Sequence, residues 1–196
     1  MHDVTKQNTT GIRSYAKSVN GKWKMRKKMI TYGIDNGKNG GIVAVDGAGE
    51  LIHKWVMPLT DEGQLDTDAI VEPFSVFTKD DNLHVYLEQA QPMPKQGVSS
   101  TFKTGYWYGL IEGMFNALWI PYTIINPRRW QNHFFKGMKE KDTKKKSFEC
   151  ASRLWPEQNW IVPKHGVKKT TKFHDGLTDA ALIAEYGRLD RLSKKL

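Results

Sequence analysis

The chain has 196 residues, 39% of them hydrophobic, with a formal net charge of +9. That length suits one domain with a real core plus a modest extension, and the basic excess favours an anionic partner, either nucleic acid or an acidic membrane. A single cysteine, Cys150, excludes a disulfide framework or a cysteine zinc site within one chain, and no apolar run reaches the roughly 18 residues of a membrane span.

The charge is segregated. Residues 1–29 hold eight Lys/Arg and one acid, residues 126–172 hold thirteen Lys/Arg and four acids, and the stretch between them is acidic. This pattern suggests a carboxylate site beside a phosphate-binding surface, where a uniformly basic chain would suggest nonspecific adhesion. Residues 1–28 are polar and basic without periodicity. They read as a mobile leader, either a DNA-contacting arm or a product of start-site choice, since Met29 directly precedes the first strand. They lack the apolar core of a secretory signal, so a cytoplasmic protein is the simplest expectation.

From residue 29 the pattern is strand, turn, strand. Residues 29–34 form a short apolar strand, residues 36–41 a glycine-rich turn, residues 42–45 a second strand, residues 46–49 a turn, and residues 51–56 a third strand. These three predict an antiparallel meander. Residues 68–77 read as a short helix, residues 83–88 as a fourth strand, and residues 92–97, with two Pro and a Gly, as a loop. Residues 98–118 predict a long helix on which Gly105, Gly109 and Gly113 share one face. A face without side chains admits close approach, either of the sheet or of a second helix across a dimer. Residues 122–125 are a fifth strand, Pro127 opens a helix at its first turn, and Asp142 caps a helix over 143–154 that ends before Pro156. A lysine-rich loop over 156–173 leads to a closing amphipathic helix over 175–192. The expected fold is α/β, a five-stranded mixed sheet with three antiparallel strands first, flanked by helices. Domain organisation is then a leader over 1–28 and one domain over 29–196.

Four acids stand where core elements begin or end. Asp35 closes the first strand, Glu88 closes the fourth, and Asp175 and Asp179 lie one turn apart on the last helix. Singly, each has an ordinary explanation: turn chemistry for Asp35, an N-cap for Asp175, a surface acid for Asp179. Jointly they are harder to dismiss. If strands one and four are neighbours, the four carboxylates meet at one sheet edge, and they would repel strongly unless a cation neutralised them. Oxygen ligands suit Mg²⁺ or Mn²⁺, and two such ions roughly 4 Å apart would activate a water and stabilise the leaving oxygen of a phosphodiester.

Tyr32-Gly33-Ile34-Asp35 with Gly40-Gly41-Ile42 resembles the first motif of RuvC-like resolvases, and Tyr86-Leu87-Glu88-Gln89 resembles their second acidic strand end. The run from His174 to Ala184 is similar to their closing helix, and residues 93–102 to the junction-facing segment of the phage-like group. The resemblance covers roughly residues 30–190. It implies a ribonuclease-H-like fold and a homodimer that cuts four-way (Holliday) junctions symmetrically with Mg²⁺ or Mn²⁺. Carried over by motif, Asp35, Glu88, Asp175 and Asp179 would be the catalytic metal ligands. The last two acids stand four residues apart, where many RuvC proteins have three, which leaves open whether Asp175 or His174 is the fourth ligand.

Lys and Arg supply phosphate affinity without reading sequence. The candidates for contacting branched DNA are Lys95, Gln96 and Lys103 near the site, Arg128 and Arg129 at a helix start, Lys144 and Lys145 in the run over 139–146, and Lys168 and Lys169 in the run over 164–172. Phe102, Tyr106, Trp107 and Tyr108 read as core or dimer packing. An actin-like ATPase would share the first turn but needs two such domains. A nuclease acting on RNA–DNA hybrids or flaps, or a DNA-binding module without chemistry, remains an alternative.

Overall fold

A computed structural model describes residues 29–75, 82–91 and 97–194. The leader over 1–28 lies outside the described residues, as do Lys95 and Gln96. Strands β1 (Met29–Asp35), β2 (Gly41–Asp46) and β3 (Leu51–Val56) form the antiparallel meander, followed by α1 (Thr67–Ser75) and β4 (Asn82–Glu88). The chain continues through α2 (Val98–Ala117), β5 (Tyr122–Ile125), α3 (Pro127–Phe134) and α4 (Thr143–Leu154), and ends with α5 (Asp175–Ser193). One sheet in the order β3-β2-β1-β4-β5 results, with β4 parallel to β1 and β5 parallel to β4. Among the described residues no helix is long and apolar enough to cross a membrane.

Alternation along the two central strands decides where the acids point. Ile30, Tyr32 and Ile34 of β1, with Leu83, Val85 and Leu87 of β4, pack into one core with Trp107, Ile111 and Phe115 of α2. The intervening residues therefore face the other way, so Gly33 and Asp35 share a face with Tyr86 and Glu88. On that face Val43, Tyr86 and Trp130 pack with Cys150 and Ala151 of α4 and with Leu177 to Ala184 of α5. The parallel register sets Ile34 beside Leu87, so Asp35 and Glu88 are the next pair along, leaving the sheet together.

Glycine brings α5 down onto this surface. A Cβ on Gly33 would collide with the backbone of Ala180 and Ala184, and one on Gly187 would collide with the Tyr86 ring. The helix backbone thus crosses β1 directly over Gly33. Asp35 lies two residues further along β1, about 6.6 Å at strand rise, and one helical turn back from Ala180 is about 5.4 Å. That near match delivers the first turns of α5 to the strand end.

The glycines of α2 do something else. Cβ atoms at Gly105, Gly109 and Gly113 would meet nothing within 4 Å, so the reading that this face packs closely on the sheet is corrected. Trp107, Ile111 and Phe115 occupy the sheet-facing side instead, because three large side chains bury more apolar surface there than glycines can. Val98, Phe102 and Tyr106 are exposed on the same outward side as the glycines.

Candidate active site

Local chemistry holds each acid at its strand or helix end. Asp35 Oδ1 accepts a hydrogen bond from the Gly37 backbone N–H at 3.0 Å, an Asx turn that reverses the chain into β2. Asn36 then donates from Nδ2 to the Glu88 carbonyl oxygen at 2.7 Å, strapping the ends of β1 and β4 together. Glu88 Oε1 accepts from the indole Nε1 of the buried Trp130 at 2.8 Å. Trp130 is delivered by α3, which is capped by Asn126 accepting from Arg128 N at 3.0 Å and started by Pro127.

The N-cap of α5 is His174, not Asp175. Its Nδ1 accepts from Leu177 N at 3.2 Å, which requires a neutral ring with its proton on Nε2, and burial followed by the Lys164 charge pushes its pKa below the ordinary histidine range. Asp175 is left free to project from the first turn. Lys144, from the first turn of α4, contacts its Oδ2 at 2.5 Å, and Lys164, from the loop before α5, contacts its Oδ1.

Electrostatics separates the four acids into two kinds. Burial raises Asp35 above the usual carboxylate range, opposed by the Gly37 bond and reinforced by the charge of Asp175. Burial pushes Glu88 up to about 8, with the charges of Asp35 and Asp179 adding to it and the Trp130 bond opposing. Burial and the charge of Asp35 push Asp179 up to about 7; the Ser147 hydroxyl lies close enough to oppose this without completing a hydrogen bond. Asp175 differs. Burial pushes it upward too, but Lys144 and Lys164 outweigh that and hold it below its ordinary value.

Asp35 and Asp179 are the electrostatic centre, since each is coupled through its charge or its own shift to the other three acids. Protonation is one way to relieve such a cluster, and a bound cation is the other. The donor set consists of hard carboxylate oxygens, and Asp179 Oδ1 is buried with no hydrogen-bond partner, so the residues fit Mg²⁺ or Mn²⁺. Among the described residues no three acidic, histidine or cysteine side chains yet converge as the ligands of one ion. Asp175 is occupied by its two lysines instead.

Beside Asp175 opens a cleft of about 1320 Å³, lined by Lys144 and Lys145 of α4 and by Lys164, Lys169, Lys172 and Phe173 of the preceding loop. His165 fastens that loop to the end of β3 through Met57 O at 2.6 Å. Among the other basic candidates, Lys168 is exposed on the same loop outside the cleft lining, and Arg128 and Arg129 are exposed at the start of α3, flanking Trp130. Lys103 is turned elsewhere: its ammonium donates to Gly63 O at 3.2 Å and lies over the Trp107 ring. Sequence reasoning singled out neither Trp130 nor Lys164. An indole N–H at a helix start just after a strand was the available signal for the first, and membership of the basic run over 164–172 for the second.

No protein-family model and no curated protein matches the chain. Solved structures do. The Thermus thermophilus RuvC structure aligns with a TM-score of 0.52 at 16% identity, over 84% of this chain and 97% of that one. T. thermophilus RuvC in complex with a Holliday junction substrate aligns with the same TM-score and identity, over 84% of this chain and 96% of that one. The chain therefore has the RuvC-like, ribonuclease-H-like fold that its motifs lead one to expect.

Proposed function

We propose that this protein is a metal-dependent endonuclease that resolves four-way DNA junctions by hydrolysing a phosphodiester in each of two opposed strands. The observation that carries this reading is the electrostatic coupling of Asp35, Glu88, Asp175 and Asp179, three of them forced above their ordinary pKa, beside a lysine-lined cleft. A buried cluster of that charge has no structural use that apolar residues would not serve better.

In this reading the four carboxylates hold two Mg²⁺ or Mn²⁺ ions. Such ions, when bound, activate a water and stabilise the leaving oxygen of the phosphodiester. The chain's own groups do the rest. The Gly37 N–H and the Trp130 indole fix the carboxylates of Asp35 and Glu88, the Asn36 strap keeps the two strand ends in register, and the cleft lysines with Arg128 and Arg129 bind the DNA backbone. Symmetric cutting needs a C2 homodimer. The outward face of α2 is its candidate interface, because Val98, Phe102 and Tyr106 are exposed there beside glycines whose backbone is open to a second helix.

The test is cleavage of a labelled immobile four-way junction beside duplex, flap and RNA–DNA hybrid controls, with Mg²⁺, Mn²⁺ or EDTA. Paired symmetric nicks confined to the junction and lost in EDTA support the proposal. Cutting of hybrids or flaps alone would keep the metal site and change the substrate, and no cutting at all would reduce the protein to a DNA-binding module.

A further inference from the structure

Both oxygens of Asp175 are covered by ammonium groups arriving from two different elements, Lys144 from α4 and Lys164 from the loop before α5. The carboxylate is fixed, with its side chain 13% exposed, whereas Lys144 is 62% exposed and Lys164 34%. The mobile partners are therefore the lysines, whose flexible stems swing readily. Both also line the cleft, with Lys145, Lys169 and Lys172 beside them.

We propose that Lys144 and Lys164 form a clamp that DNA releases: in the free protein they occupy Asp175, and a backbone phosphate entering the cleft takes them over, freeing Asp175 to complete the cation site. This rests on the metal-nuclease reading above, which assigns Asp175 to that site. Two ammonium groups and a divalent cation cannot share one carboxylate without strong like-charge repulsion. A phosphodiester oxygen is an alternative acceptor that brings its own negative charge, so the exchange loses no ion pair. Cation binding and DNA binding then favour one another, and by reciprocity each tightens the other by the same factor. The hydrolytic site is completed only when there is a strand to cut.

A bland alternative is that the two lysines simply fasten the 161–173 loop to α5, and it makes the opposite forecast. Ca²⁺ titrated by calorimetry separates them, with a gel confirming that the DNA stays whole and a DNA-only titration subtracted. Ca²⁺ affinity should rise about tenfold in Lys164→Met and in Lys144→Met, and about as much in the unaltered protein with an immobile four-way junction present. Lys144→Met, at the more exposed position, guards against a loop lost in Lys164→Met. Unchanged or weaker Ca²⁺ binding in both lysine variants and with the junction, while Asp179→Asn abolishes it, would overturn the clamp and leave the metal site standing. Ca²⁺ binding indifferent to Asp179→Asn would overturn the metal reading and the clamp with it.

Discussion

The two ends of α5 are built on opposite principles. At its C-terminal end every charge has settled partners. Arg191 donates to Ile30 O at 2.7 Å, Thr31 Oγ1 at 2.8 Å and Asn82 O at 2.9 Å, and also contacts Asn82 Oδ1. Asp190 accepts from the Tyr86 hydroxyl at 2.6 Å, and Arg188 pairs with Glu185 through two bonds, at 2.7 and 2.6 Å. At the N-terminal end three buried carboxyls are raised by desolvation and by neighbouring acids, and Asp179 Oδ1, Ser147 Oγ and His174 Nε2 are buried without a hydrogen-bond partner. The same helix, packed on the same sheet, is finished at one end and unfinished at the other. A concentration of broken local rules is what a functional site is expected to show, and in the proposed reading a cation and a DNA strand would complete the unfinished end.

The largest effect expected at the unfinished end is on chemistry. Asp35→Asn should lower junction cleavage by about a thousandfold or more while leaving junction binding in EDTA nearly unchanged, because it would remove a proposed metal ligand and no phosphate contact. A variant that cuts normally would break the comparison. Between the two ends, Gly33→Ala should destabilise the fold by about 3 kcal/mol in denaturant titration, since the added methyl meets helix backbone, which cannot turn aside. At the finished end, Arg191→Met should cost about 2 kcal/mol by leaving the acceptors on Ile30 and Asn82 unsatisfied.

The sharpest contrast is in sign. Asp179→Asn should abolish cleavage yet stabilise the metal-free protein at pH 8, by about 1–2 kcal/mol, because it removes a charge the fold opposes. The pH dependence follows the same logic. Glu88 and Asp179, with pKa values near 8 and 7, keep their protons in the folded state at pH values where the unfolded chain has lost them. Stability of the metal-free protein should therefore fall as pH rises from 6.5 through 8 and level off about one unit above that. His84 and His174, whose pKa values are lowered in the folded state, still carry protons in the unfolded chain near pH 6.5, so they oppose this fall at its lower end without reversing it. Saturating Mg²⁺ should flatten the slope, and a slope of opposite sign without metal would contradict the assignment. The smallest effect is expected for Trp130→Phe, about tenfold in kcat with DNA affinity unchanged, since it loosens Glu88 without removing it.

Much of this was legible in the sequence, and what was not shares a cause. The apolar run of β1, the alternation in β4 and the turn chemistry after Asp35 are local signals, so the strand order of the meander and the acids at strand ends could be read directly. The Gly33 contact with Ala180 and Ala184, and the Trp130 bond to Glu88, join positions far apart in the chain and leave no periodic trace. The glycines of α2 misled for a related reason. A small-residue face says that a close approach is possible without saying to what, and here the sheet side was claimed by Trp107, Ile111 and Phe115. His174 took the cap that was one alternative for Asp175, because its Nδ1 can accept the same backbone bond.

Anomalous diffraction from crystals grown with Mn²⁺ tests the central claim most directly. The account predicts a peak within about 2.2 Å of carboxylate oxygens from Asp35, Glu88 and Asp179. Well-ordered carboxylates with no anomalous peak between them, at Mn²⁺ concentrations that saturate other sites, would contradict it.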